Sequence, residues 1–151
     1  MIFYEKNKIE GIMKNINLPI NSNKLINDIG LYVIEQEFSE YIGFEIKDNY
    51  IIIPKNSTIV YKTFVFAYVY IMKKKFHMNE DKIVWKNDFN YPHYAYVQNK
   101  LLEETMDLLI PNIALDVLIK QRKITNLNKL KSIFNVSLNL LKYKLKRKNY
   151  I

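Results

Sequence analysis

The chain's stock of common metal ligands is two histidines, fifteen carboxylates and no cysteine. His77 and His93 stand sixteen residues apart across a polar stretch, with no ligand spacing between them. Zinc sites bring their ligands together at short, defined spacings. These two histidines therefore read as surface or capping residues. Glu103, Glu104 and Asp107 fall within one helical turn. Paired carboxylates suit general acid–base chemistry, but adjacent residues on a helix diverge, so this trio reads as a solvated acidic face. Tyr61, Tyr68 and Tyr70 read as packing residues, and Met72 and Met106 as core fillers. Gly11, Gly30 and Gly43 stand alone, so no glycine-rich loop can cradle a phosphate. No serine lies in a nucleophile motif. The residues alone predict no catalytic constellation and no cofactor.

A second chemistry lies in the charge. The 151 residues carry a formal charge of +8, placed unevenly. No acidic residue follows Asp116, while residues 117–151 hold ten of the 23 lysines and arginines. The first 116 residues set 13 basic against 15 acidic side chains. An asymmetry of this kind points to nucleic acid, a membrane surface or an acidic protein as partner. The plain alternative is a lysine-rich solvated face. Lysine (21), isoleucine (22) and asparagine (18) dominate the chain, a bias that suggests an A+T-rich genome.

The elements that must position these residues follow from pattern. Asn23 or Ser22 is predicted to cap a short helix ending at Gly30. Leu31–Ile34 is predicted as a strand. Gly43–Ile46 and Tyr50–Ile53 are predicted as a hairpin across Lys47-Asp48-Asn49, with Pro54 ending it. Asn56-Ser57-Thr58 offers a cap for the run Ile59–Phe76. That run is apolar on nearly every face, so as a helix it is buried. Its length exceeds an ordinary strand and decides for helix. Its charge-free stretch Thr63–Met72, ten residues, cannot span a bilayer. Met78–Tyr94 is predicted irregular, pinned by Trp85 and Phe89. Ala95–Ile110 is a helix broken by Pro111, and Asn112–Gln121 another. The end reads as two short helices. Leu127, Leu130, Ile133 and Phe134 line the first. Asn135-Val136 is the turn, and Ser137 caps the second, striped by Leu138, Leu141 and Leu145.

With 49% apolar and 14% aromatic residues the chain can bury a bulky core, and its length suits a single domain. The start of the sequence lacks an apolar signal core and there is no cysteine to make a disulfide, so a cytoplasmic, non-membrane protein is expected.

Several pieces, in this order, resemble the ImmA/IrrE family of zinc metallopeptidases. They are Ile29-Gly30-Leu31-Tyr32-Val33, similar to its L-G-I-x-V; the strand Tyr50-Ile51-Ile52-Ile53 ahead of a long buried helix; Leu108-Leu109-Ile110-Pro111, similar to L-L-M-P; and Phe134-Asn135-Val136-Ser137 with Leu141, Lys144 and Leu145, similar to F-x-V-S-x-x-A-L-x-x-R-L. The resemblance covers roughly residues 25–148. It implies a zincin-like fold whose buried helix carries R-F-x-x-A-H-E-x-x-H. Anchoring Phe64 and Ala67 on that pattern puts Tyr68 and Val69 at the H-E pair and Met72 at the second histidine. Counting back from Leu108 puts Gln98 at the family's third, glutamate ligand. A zincin needs two imidazoles on one helix face and a glutamate to take a proton from the bound water. Tyr68, Val69, Met72 and Gln98 supply none of these, so the resemblance implies a pseudo-peptidase with its metal site erased.

The expectation is thus a mostly helical α+β domain spanning 1–151. It comprises an N-terminal extension (1–24), a zincin-like core (25–122) and a basic helical pair (123–151). A small sheet from 31–54 and four or five helices surround the helix 59–76. The resemblance implies a non-catalytic phage or mobile-element regulator that binds a repressor or a host defence protein. The alternative is a DNA-binding regulator. Its helix-turn-helix-like pair would contact nucleic acid through Asn139, Lys142, Lys144, Lys146, Arg147 and Lys148. Of the residues at the start of its second helix, only Asn139 is a good base reader.

Overall fold

The computed structural model describes residues 18–37, 42–78, 81–84 and 99–151. The chain is α+β. Helix α1 (Ser22–Asp28) is capped by Asn21, whose side chain accepts from the Lys24 N–H at 3.2 Å, rather than by Ser22 or Asn23. It ends where Gly30 takes a left-handed φ of +76°, a conformation that costs glycine little. The chain then turns into β1 (Tyr32–Gln36), followed by β2 (Ile42–Lys47) and β3 (Tyr50–Pro54).

Strands β2 and β3 form the expected hairpin, pairing Lys47 with Tyr50 across Asp48-Asn49. Asp48 supplies the positive φ the turn needs. Strand β1 adds in parallel to the far side of β3, with Tyr32 opposite Tyr50 and Glu35 opposite Ile53. The sheet reaches beyond residue 54: β4 (Lys82–Val84), inside the stretch expected to be irregular, pairs antiparallel with β2 and makes the order β1-β3-β2-β4. The other expectations for that stretch, Trp85 and Phe89 among them, lie outside the described residues.

Register places Val33, Glu35, Phe44, Ile46, Ile51 and Ile53 on one face of the sheet. Helix α2 (Ile59–Lys74) lies against that face. Its start is fixed by Thr58, whose hydroxyl accepts from the Tyr61 N–H at 3.1 Å. Its end carries Lys73 and Lys74, which suit the negative pole of the helix dipole. Between them, ten residues are buried, on every side of the helix. Tertiary burial thus overrides the β-branched and aromatic preference for strand. The Tyr61 hydroxyl donates to the Gly43 carbonyl at 2.6 Å, and Lys62 pairs with Glu35 at 2.7 Å. Both contacts pin the helix to the sheet.

Helix α3 (Asn99–Leu109) packs on α2 and stops before Pro111. Residues 95–98 of the expected helix lie outside the described residues. Helix α4 (Asn112–Asp116) opens into a wider π-type turn over Val117–Gln121, closed by the Arg122 N–H bonding to the Val117 carbonyl at 3.0 Å. Helices α5 (Leu127–Phe134) and α6 (Leu138–Arg147) follow, capped by Asn126 and Ser137. Leu130, Phe134, Val136, Leu140, Leu141 and Leu145 join the same hydrophobic core as α2 and the sheet. Leu138, expected in the stripe, is only half-buried, and Leu140 takes its place. Among the described residues no helix is long and apolar enough to cross a membrane.

Candidate functional site

Two places carry the residues that the sequence singles out: the middle of α2 and the two faces of α6. In α2, Tyr68 is 5% exposed and Val69 and Met72 are fully buried. The Tyr68 ring sits between Phe44 on β2 and Phe64 one turn earlier, with centroids 6.3 and 6.0 Å away. Tilted aromatic pairs at such separations are favourable beyond the area they bury. The three side chains are therefore part of the packed interior, and none is an imidazole or a carboxylate. Gln98 and His93 lie outside the described residues. His77 is exposed just beyond α2, with a left-handed φ of 51°. Among the described residues no group of three or more histidines, cysteines or carboxylates could hold a metal ion.

The carboxylates of α3 are partly solvated but not unpartnered. Each has a cation: Glu103 takes Arg147 at 2.7 Å, Glu104 takes Lys75 at 2.5 Å and Asp107 takes Lys144 at 2.6 Å. Glu103 and Asp107 are i, i+4 on α3. Lys144 and Arg147 are i, i+3 on α6. The two spacings match, so the helices meet along a line of opposite charge. Beyond it, Asp116 lies 3.5 Å from Lys148 and accepts the Tyr150 hydroxyl. Burial, and then the bond to Asp116, push the Tyr150 phenol up to about 12. A side-chain hydrogen bond with Tyr143, helped by the Glu103 charge, raises Arg147 further above its ordinary value.

This geometry corrects one expectation about the tail. Lys144 does not face solvent: its side chain is 2% exposed and its ammonium is spent on Asp107. It therefore drops out of the phosphate-contacting set. Arg147 and Lys148 are partly exposed but engaged by Glu103 and Asp116. Asn139, Lys142 and Lys146 are exposed on the other side of α6. The turn before α6 is built by Asn135, which adopts a left-handed conformation (φ 56°, ψ 48°) and donates from Nδ2 to the Thr63 hydroxyl of α2 at 3.3 Å.

The acidic partners on α3 escaped the sequence reading, although a signal existed. An i, i+4 pair of acids on one amphipathic helix complements an i, i+3 pair of bases on another. Comparison with family models, with curated proteins and with solved structures gave no match to this chain.

Proposed function

We propose that this chain is a catalytically silent relative of the ImmA/IrrE metallopeptidases that works by binding a partner protein. The partner would be a repressor or a host defence protein, in a phage or mobile-element setting, with this chain as regulator, antirepressor or inhibitor. The observation that carries the reading is the content of α2. Tyr68, Val69 and Met72 are buried at the positions where the resemblance calls for histidine, glutamate and histidine. A vacated metal pocket is a polar hole in a helix-packed core. Large apolar side chains close it and gain roughly 25 cal/mol per Å² of apolar area removed from water. The element order lends support: a strand leading into the buried helix, a proline ending α3, and a capped helix pair closing the chain. Binding rather than chemistry draws support from the sheet edge, where Tyr32 is 65% and Val33 41% exposed. Such an edge is a ready template for another chain.

The test is affinity capture from the native host at physiological salt, read by mass spectrometry, together with elemental analysis of protein purified without chelator. One defined protein partner and no stoichiometric zinc are expected. Stoichiometric zinc that disappears with His77→Ala or His93→Ala would refute the proposal, and so would the absence of any protein partner.

A further inference from the structure

Helix α6 and the residue after it carry two sets of cations, and ion pairs within the described residues hold one of them. Lys144, Arg147 and Lys148 are held by Asp107, Glu103 and Asp116. On the opposite side of α6, Asn139, Lys142 and Lys146 fall at i, i+3 and i+7, all exposed along one stripe. Among the described residues neither lysine of that stripe makes an ion pair, and neither α5 nor α6 contains an acid to neutralise it. Lys129 on α5 is likewise exposed. The pairing on the inner side keeps α6 in one rotation about its own axis. The outer stripe is therefore a fixed array of positive charge rather than a mobile tail.

We infer that this outer stripe docks on the phosphates of B-form duplex DNA, with Lys142 and Lys146 as phosphate contacts and Asn139 at the end of the helix that meets the groove. Two helices joined by the three-residue turn Asn135–Ser137, with Asn135 left-handed, share the connection of helix-turn-helix motifs, whose second helix enters the major groove. That groove is wide enough to admit an α-helix. The major groove of A-form RNA is too deep and narrow for side chains to read, which favours DNA. Only the half-buried Tyr143, stacked under Arg147, borders the stripe with apolar surface, too little to anchor a helix in a lipid interface. Binding of this kind is mainly electrostatic and tolerant of sequence, with its strength set by counterion release. It is independent of the partner-protein reading, since it uses none of the residues of α2 or the sheet edge.

The test is fluorescence anisotropy of the full chain with a labelled duplex of about 30 base pairs, titrated between 50 and 200 mM salt. The wild type should bind at 50 mM and weaken steeply. Lys142→Ala combined with Lys146→Ala removes two contacts. That should lower the log–log salt slope by about 1.8, shrinking the affinity lost across this fourfold range by about 12-fold. Lys144→Met removes a charge from the inner side and should leave the slope as in the wild type. Circular dichroism would confirm that both variants are folded. No duplex binding at 50 mM overturns the inference. So does an unchanged slope in the double variant, an equal loss in Lys144→Met, or binding to phosphatidylserine vesicles in place of DNA.

Discussion

Lys144 is a lysine with its side chain 2% exposed, and its partner Asp107 is half in water at 50% exposure. That asymmetry predicts that the two halves of the pair respond differently to mutation. Removing Asp107 strands a cation in the interior. Breaking a fully buried pair costs about 3–5 kcal/mol. Here the carboxylate side is already hydrated, so Asp107→Ala should cost about 2–3 kcal/mol. Asp107→Asn, which keeps an acceptor oxygen but not the charge, should cost about 1–2 kcal/mol. Removing Lys144 has the opposite character. Lys144→Met puts an apolar chain of similar length among Leu140, Leu141 and Leu145, and leaves Asp107 free to turn into water. Its effect should stay within about 1 kcal/mol of zero, in either direction. The double variant Asp107→Ala/Lys144→Met should then track Lys144→Met, so nearly the whole cost of Asp107→Ala reappears as coupling energy. Urea unfolding with linear extrapolation measures all four species, provided the m-value holds. A neutral Asp107→Ala, or a Lys144→Met that costs more than about 3 kcal/mol, would refute the assignment of Lys144 as a buried cation held by one acid.

Met72→Ala should cost about 2–5 kcal/mol, as truncation of a fully buried side chain does, and an unchanged thermal melt would remove Met72 from the core. Tyr61→Phe takes away the buried donor to the Gly43 carbonyl, so a loss of about 1–3 kcal/mol is expected from denaturant unfolding. A loss below the error of the method would mean that this carbonyl finds another partner. The fold raises the Tyr150 phenol from 10 to about 12, favouring its neutral form. Tyr150 therefore stabilises fully below pH 10 and loses that contribution as the pH climbs towards 12. The stability gap between wild type and Tyr150→Phe should be flat below pH 10 and close across that window; a gap that stays constant throughout would contradict the assignment.

What was legible in the sequence was local. Thr58 and Ser137 mark helix starts because their side-chain oxygens satisfy N–H groups only three residues away, at 3.1 Å; Asn126 caps α5 in the same way, though the sequence reading does not mark it as a cap. The hairpin turn Asp48-Asn49 and the break at Pro111 are equally short-range. Strand β4 was not legible, since three residues cannot display a period and Lys82–Val84 is a strand only because β2 lies beside it. Ser22 and Asn23 lost the first cap to Asn21 by one or two positions, the usual uncertainty of a helix end. The parallel docking of β1 on β3, past the intervening β2, leaves no local trace. For the α6 site, the count of charges was legible but its division between two faces was overlooked. Lys144 stands four residues after Leu140 and three after Leu141, on the apolar side of the helix. That spacing places it inward, and the paired acids on α3 complete the explanation.

The free edge of β1 has a cost that lies in solution behaviour rather than in the fold. Tyr32, Val33 and Ile34 form an apolar, β-favouring run at the end of the sheet, and alternate backbone groups along it point away from β3, where no other described strand pairs with them. A strand of this kind can seed stacking of copies. The run is halted at once by Glu35, Gln36 and Glu37, and Lys62 holds Glu35 in place at 2.7 Å. Two copies stacked in parallel register would set these carboxylates against each other, so like-charge repulsion opposes the first step of open-ended growth. The charged end of the strand thus guards the apolar start of the same strand.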